Sequence, residues 1–301
     1  MTLTVEEAIA RVPMWVNAQD IRVAPLEGGI TNRNYRVDVD GESFHLRLAG
    51  ENTELLGIHR EYEYDANRTA GELGIAPEVI YFIEREGYLV TRFIDGRPIP
   101  PEEIRQPENL ERVAETLRKI HGMPAIPGVF SAFQVVRDYS EIAQRYNVFF
   151  PENFDWLLDQ MNKAETVLVT SSLVQRPCHN DLLNANFLFT DKLFILDWEY
   201  AGMGDIFFDL ANFSTNHELT EQENHLLLDC YFGEVRSQDV AHLYMMKIMS
   251  DFREAMWGMV QIGISNLDFD FREYANKHFD RLTQNIQNPN WERWLEEVRQ
   301  K

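Results

Sequence analysis

Residues 179–200 read HNDLLNANFLFTDKLFILDWEY, and this stretch decides the fold. Two short apolar runs, 187–189 and 193–196, flank a polar T-D-K turn, which predicts a β-hairpin. Antiparallel pairing sends the chain back on itself, so Asn186 before the first strand and Asp197 after the second should finish at the same open end.

The polar residues around this predicted hairpin suit phosphoryl transfer. The amide oxygen of Asn186 and the carboxylate of Asp197 are hard ligands of the kind that bind Mg²⁺ together with substrate phosphates. Asp181 lies five residues before Asn186 and could accept the proton of an attacking hydroxyl. We interpret His179 and Asn184 as residues that shape the loop rather than as ligands.

The order of these residues favours a functional interpretation of the set. H-x-D-x-x-x-x-N, followed by an apolar strand that ends in Asp, is the protein-kinase order of catalytic base, metal-binding Asn and metal-binding Asp. The alternative is a buried hairpin whose polar residues only satisfy the backbone of nearby loops. For Asp181, Asn186 and Asp197 together, the pattern favours catalysis.

The rest of the chain predicts an α+β, two-lobed protein-kinase-like fold. Alternating apolar residues with a Gly-Gly and an Asp-Gly turn predict a small antiparallel sheet, and a helix is predicted from Arg60 to Leu73. The turn-rich segment DGRPIPP predicts a boundary between an N-terminal nucleotide-binding lobe, 1–94, and a larger, mainly helical catalytic and substrate-binding lobe, 95–301.

Such a fold needs a glycine turn over the phosphates, a basic residue on a following strand and a glutamate on the next helix. Arg47 is the basic candidate, and Glu63 is preferred to Glu61 as its partner because Glu63 shares a helix face with Ala66 and Ala70. The remaining nucleotide-binding candidates are the glycine-turn residues Gly28, Gly29, Thr31 and Asn32, and the backbone near Arg92 and Ile94, which would face the adenine.

Composition restricts the partners. The chain of 301 residues has a net charge of −21, which argues against nucleic acid or an anionic membrane as the main partner and leaves room for a cationic small substrate. Two cysteines, no recognisable signal peptide and no apolar run of membrane-spanning length predict a cytoplasmic protein without membrane insertion. The oligomeric state has no signal in the sequence.

The segment after the hairpin departs from protein kinases. It reads Asp-Trp-Glu where protein kinases have Asp-Phe-Gly, and no Ala-Pro-Glu segment follows. We therefore expect no regulatory activation loop, and an acceptor that is a small molecule.

Several segments, in order, resemble the choline/ethanolamine kinase family within the aminoglycoside-phosphotransferase-like group. They are LEGGITNRNYRV, FHLRLAG, HREYEYDANRTAGELGIAPEVIYF, CHNDLLNANFL, LFILDWEYAGMGDIFFDLANF and MWGMVQIGISNLDFDFREYANKHF. The resemblance implies ATP as co-substrate, Mg²⁺ as cofactor and a kinase-like fold. Arginine at position 47, where protein kinases have lysine, is also typical of this family.

The resemblance further implies a pocket for the acceptor near Asp181. Trp257 and Tyr274 would be its cage aromatics, with Glu199 and Tyr200 nearby. Eukaryotic members have a second tryptophan one helical turn before Trp257, where this chain has Glu254, so Trp198 or a carboxylate would have to complete the cage.

The expected reaction is phosphoryl transfer from ATP to the hydroxyl of choline, which gives phosphocholine and ADP. Another hydroxylated substrate, such as ethanolamine, thiamine or an aminoglycoside, is the alternative within enzymes. A non-catalytic kinase-like binding protein is the alternative outside them, and the intact set of Asp181, Asn186 and Asp197 argues against it.

Overall fold

The computed structural model describes residues 3–27, 32–169 and 173–299. The chain divides into two compact units. The first unit comprises residues 1–98 and 185–201, and the second unit comprises residues 99–184 and 202–301.

A five-stranded antiparallel sheet, counted among the described residues, forms the body of the first unit. Its strands lie in the order β1-β2-β3-β5-β4. Their bounds are β1 (Ile21–Leu26), β2 (Arg33–Val39), β3 (Glu42–Leu48), β4 (Val79–Ile83) and β5 (Tyr88–Arg92). Leu46 and Val90 lie opposite each other on β3 and β5, and both are fully buried, so the middle of the sheet anchors the core.

The described residues of the first unit form two α-helices. Helix α1 (Val5–Ile9) begins at Thr4, whose side chain accepts a hydrogen bond from the N–H of Glu7 while Glu7 bonds back to Thr4. Helix α2 (Arg60–Glu72) packs against β4 and buries Ala66 and Ala70. It ends one residue before the predicted end at Leu73.

The predicted hairpin forms in the first unit. Strands β8 (Phe187–Phe189) and β9 (Leu193–Ile195) pair antiparallel, and β8 also pairs with β6 (Arg97–Pro98). The Ile195 N–H donates to the Ile75 carbonyl at 2.9 Å. These bonds connect the hairpin to the first unit, whereas the sequence analysis counted it with the helical lobe and placed the boundary four residues earlier than the division between residues 98 and 99.

The second unit is mainly helical, as predicted. Its helices are α3 (Pro101–Ile104), α4 (Pro107–His121), α5 (Ala132–Arg145), α6 (Phe154–Leu168), α7 (Ile206–Asn216), α8 (Glu221–Phe232), α9 (Ser237–Ile264), α10 (Phe271–Ile286) and α11 (Trp291–Arg299). Helix α9, with 28 residues, is the central element, and it packs against α5, α7 and α10. A capping box formed by Thr220 and Glu223 begins α8, and Gly233 ends that helix with φ of 78°.

Two short strands complete the second unit. Strand β7 (Arg176–Cys178) leads into the loop that carries Asp181, and it pairs antiparallel with β10 (Gly202–Gly204). The α+β fold is therefore confirmed, with an antiparallel sheet in one unit and a helical assembly in the other. None of the helices formed by the described residues combines the length and the apolar character needed to cross a membrane.

Candidate active site

The hairpin mouth brings two of the predicted catalytic residues to one end of the first unit. Phe187 pairs with Ile195, and the Leu196 N–H donates to the Asn186 carbonyl at 2.8 Å. Asp197 is the next residue and has a left-handed backbone, with φ of 63°. The strands thus bring the backbone of Asn186 next to that of Leu196, the residue before Asp197, and the left-handed backbone at Asp197 follows the end of the strand.

A buried cluster of charges forms around Glu63 in the same unit. Glu63 accepts from Arg47 on β3 and, at 2.8 Å, from Nη1 of Arg60 on α2. Burial and the neighbouring Arg60 lower the pKa of Arg47 to about 9, while Glu199 and Asp197 raise it. Arg47 is therefore a cation at neutral pH. Glu61 is exposed, so the structure pairs Arg47 with Glu63.

Glu199 belongs to this cluster. Its Oε2 atom accepts from Arg60 Nη1 at 3.1 Å and from Asn32 Nδ2 at 3.0 Å. Arg60 Nη2 also donates to Asn32 Oδ1 at 2.9 Å. Glu199, which we expected beside the acceptor, is thus bonded to Arg60 and Asn32 within the first unit. Tyr200, the next residue, is half-buried in that unit.

Some nucleotide-binding candidates lie outside the described residues or have other bonds. Gly28, Gly29 and Thr31 are not among the residues that the structure describes. The Arg92 N–H donates to the Glu78 carbonyl at 2.8 Å, so this donor is already used within the sheet. Ile94 is half-buried just after β5, and its contact with adenine stays a prediction.

Helix α7 in the second unit holds the loop that carries Asp181. Its Asp209 accepts from the N–H of His179 at 2.8 Å and from that of Asn180 at 2.7 Å. One turn on, Asn212 Oδ1 accepts from the N–H of Leu182 at 2.6 Å. Residues three apart lie on one face of a helix, so α7 fixes the backbone on both sides of Asp181.

The two loop residues have the structural roles predicted for them. The Asp181 N–H donates to Nδ1 of the fully buried His179 at 3.3 Å. Asn184 Nδ2 donates to the Ile99 carbonyl at 2.9 Å. Both side chains therefore bond to loop backbone.

Among the described residues, one group of three His, Cys or acidic side chains lies close enough to hold a metal ion: His121, Cys178 and Asp209. Asp209 already accepts from two backbone N–H groups and contacts His121 Nε2 at 3.1 Å. Burial and the nearby Asp209 and Asp205 raise the pKa of Cys178 well above its usual range. Since a metal needs the thiolate, this group is better explained as support for the loop.

Asp181 is bonded to the long helix α9. Arg253 Nη1 donates to Asp181 Oδ1 at 3.1 Å and also to Glu254 Oε1. The second oxygen of Glu254 accepts from the Tyr274 hydroxyl at 2.7 Å. Asp181, Arg253 and Glu254 are all buried, so a continuous series of polar contacts runs from the predicted base to α10.

The two predicted cage aromatics meet in the second unit. The ring centroids of Trp257 and Tyr274 lie 5.6 Å apart in an edge-to-face arrangement, and Phe271 lies 5.8 Å from Trp257. Gly258 permits this approach, because a Cβ atom there would lie 3.1 Å from Tyr274 Cδ1. Burial and the adjacent Glu254 raise the pKa of Tyr274, so its hydroxyl stays protonated at neutral pH.

Comparison with known proteins agrees with this geometry. Residues 22–256 match the model of the phosphotransferase enzyme family. A solved choline/ethanolamine kinase family protein from Mesorhizobium loti is 31% identical, with a TM-score of 0.85 over 99% of this chain and 100% of that one. The chain belongs to the phosphotransferase enzyme family and, within it, to the choline/ethanolamine kinase family.

One further relative is similar in sequence, and one further solved structure shares the fold. Protein LicA of Haemophilus influenzae is 27% identical over 84% of this phosphotransferase and 76% of its own length. Choline kinase LicA from Streptococcus pneumoniae, at 23% identity, shares the fold with a TM-score of 0.79 over 94% of this chain and 97% of that one. The protein is therefore an ATP-dependent phosphotransferase that acts on a small alcohol, and its fold is that of the kinase-like phosphotransferases.

Four supporting residues of this phosphotransferase were not predicted from the sequence: Arg60, Asp209, Asn212 and Arg253. Asp209 and Asn212 had a detectable signal, since polar residues three apart within the apolar helix segment IFFDLANF indicate a buried polar face. The roles of Arg60 and Arg253 had no detectable signal in the sequence, because their partners Glu199 and Asp181 are distant in the chain.

Proposed function

We propose that the protein is a choline kinase, which transfers the γ-phosphoryl group of ATP to the choline hydroxyl. The observation that carries this proposal is the aromatic corner of Trp257 and Tyr274, connected through Glu254 and Arg253 to Asp181 within one compact unit. It offers a ring surface for a quaternary ammonium and a carboxylate for the hydroxyl proton.

The first unit supplies the groups for the nucleotide. Arg47, fixed by Glu63, would contact the phosphates as a cation. Asn186 and Asp197 would hold Mg²⁺, and their amide and carboxylate oxygens fit that ion. Mg²⁺ held there would supply positive charge that offsets the charge of the phosphates. Asn32 and the glycine turn remain our candidates for the segment over the phosphates.

Asp181 would act as the base. The choline oxygen attacks the γ-phosphorus, the bond from that phosphorus to the β,γ-bridging oxygen breaks, and ADP leaves with the bond electrons. The hydroxyl proton passes to an oxygen of Asp181. Asp209 and Asn212 hold the loop backbone, and Arg253 holds one carboxylate oxygen, so the base is preorganised.

Choline and ethanolamine differ in their ammonium group, so the side chains that recognise this group determine which of the two is preferred. A quaternary ammonium has no N–H to donate and is recognised by aromatic faces, at about 0.5–2 kcal/mol for each cation–π contact. The Tyr274 hydroxyl donates to Glu254, so the tyrosine would meet a ligand through its ring, which also packs against Trp257, Phe269 and His278. Glu199 is bonded to Arg60 and Asn32, so the carboxylate we had considered for a primary ammonium is already engaged.

The test is a panel of alcohols assayed with Mg²⁺ and ATP: choline, ethanolamine, thiamine, an aminoglycoside and 3,3-dimethylbutanol, in which carbon replaces the choline nitrogen. ADP release gives the rates, and mass spectrometry identifies the phosphorylated product. We expect choline to have the highest kcat/KM and the neutral isostere to be a poor substrate. A higher kcat/KM for any other alcohol would contradict the choline assignment, and no turnover with the whole panel would indicate the non-catalytic alternative.

A further inference from the structure

Arg253 and Glu254 are neighbours in sequence, yet their charged groups converge. Adjacent residues on a helix point in directions about 100° apart and do not normally face each other. Here Arg253 Nη1 donates to Glu254 Oε1, and the two side chains are 2% and 3% exposed. Two charges taken out of water in this way give little net stability, so their burial calls for another role.

Each member of this pair contacts one end of the acceptor site. Arg253 reaches Asp181 Oδ1 at 3.1 Å. Glu254 accepts the Tyr274 hydroxyl at 2.7 Å, and the Tyr274 ring lies against Trp257. The pair therefore spans the distance from the predicted base to the aromatic corner.

The charge balance of these groups determines which substrate they tolerate. Arg253 is always protonated, so alone it would cancel Asp181 and leave a neutral site. Burial by itself would raise the pKa of Glu254, but Arg253 and His278 lower it, so Glu254 is an anion. Two carboxylates facing one guanidinium leave one net negative charge.

Neighbouring charges lie on both helices. Asp251 on α9 is engaged by Arg281 on α10 at 2.9 Å and by His278 Nδ1 at 2.8 Å. The Asp251 carboxylate and the Arg281 guanidinium offset each other, and His278 acts on Glu254 in the same direction as Arg253. Glu273, next to Tyr274 on α10, is exposed to solvent.

We propose that Arg253 positions the base Asp181 and that Glu254 is a specificity-determining residue, which neutralises Arg253 so that the site selects a cationic alcohol over a neutral one. This inference rests on the proposed function, because it assigns a role in the same reaction. It also explains a glutamate at a position where an aromatic side chain would be expected to serve a cage.

The test compares choline with 3,3-dimethylbutanol in three variants: Glu254→Gln, Arg253→Met, and the two combined. For Glu254→Gln we expect the KM for choline to rise about tenfold or more, because an uncompensated guanidinium repels the cation. The KM for the neutral isostere should change by less than about threefold. For Arg253→Met we expect kcat to fall by about 10²-fold with both alcohols, without a rise in the choline KM.

The double variant gives the decisive comparison. Of the three groups Asp181, Arg253 and Glu254, only Asp181 stays charged in this variant. The net charge is again −1, so the choline KM should return towards the wild-type value while kcat stays low. This variant contains no uncompensated member of the pair, so it keeps the test informative even if Glu254→Gln fails to fold. Glu273→Gln is the matched control, because it removes the same charge from an exposed position beside Tyr274, and neither KM nor kcat should change.

Three results would overturn the inference. They are an equal rise in KM for both alcohols in Glu254→Gln, a choline KM in the double variant that stays high, and an unchanged kcat in Arg253→Met. The proposed function fails separately, and that failure appears in the wild type as a lack of choline turnover.

Discussion

Replacing Glu63 by Gln is expected to destabilise the first unit by about 3–5 kcal/mol, because it leaves two buried guanidinium groups without their shared carboxylate. The Arg47 and Glu63 side chains are 6% and 2% exposed, and Arg60, at 12%, is bonded to the same carboxylate. Two unit charges about 4 Å apart attract by about 4 kcal/mol at an effective dielectric constant of about 20, so solvent screening does not remove the effect.

The stability lost in Glu63→Gln is large compared with the total stability of a typical domain. A typical domain is stable by about 5–15 kcal/mol, so removal of one carboxylate would use up a large part of that margin. Glutamine keeps the shape of the side chain, so the cost is electrostatic rather than a packing defect. We also expect the KM for ATP to rise, because Arg47 loses the partner that orients it towards the phosphates.

Amide hydrogen exchange, followed by mass spectrometry on peptides from β3 and α2, measures the loss without assuming that both units unfold together. Glu61→Gln is the matched control, since Glu61 lies on the same helix, is exposed, and should change stability by less than about 0.5 kcal/mol. If the two variants lose the same protection and keep the same KM for ATP, the buried ion pair does not have the role argued for it.

Four further variants test the proposed roles. Asp197→Ala should abolish transfer, and near wild-type activity at saturating Mg²⁺ would contradict the metal site at the hairpin mouth. Asp181→Asn should lower kcat far more than it raises either KM, whereas a pure KM effect would restrict Asp181 to substrate positioning. Arg47→Ala should weaken the use of ATP and spare choline affinity, and unchanged nucleotide kinetics would refute its contact with phosphate. Trp257→Ala should raise the choline KM by about 2- to 30-fold, as expected for one cation–π partner, with little change in the KM for ATP. An equal rise in the KM for 3,3-dimethylbutanol would mean that Trp257 has only a packing role.

The sequence by itself determined the local architecture of this kinase. The two apolar runs and the turn between them were enough to place Asn186 and Asp197 at one hairpin mouth, because antiparallel pairing depends on residues close in the chain. The capping boxes at Thr4 and Thr220 likewise marked helix starts, since each is a contact between residues three apart.

The tertiary structure was needed to find most of the charges that share a buried site. The helix face shared with Ala66 and Ala70 already favoured Glu63 over Glu61, and packing against the sheet turns Glu63 inward to Arg47. The other pairs had no such signal. Glu199 bonds to Arg60, 139 residues away, and Asp181 bonds to Arg253, 72 residues away. Such pairs form because burial makes an unpaired charge costly, and that cost depends on which surfaces meet in the folded protein rather than on any spacing along the chain.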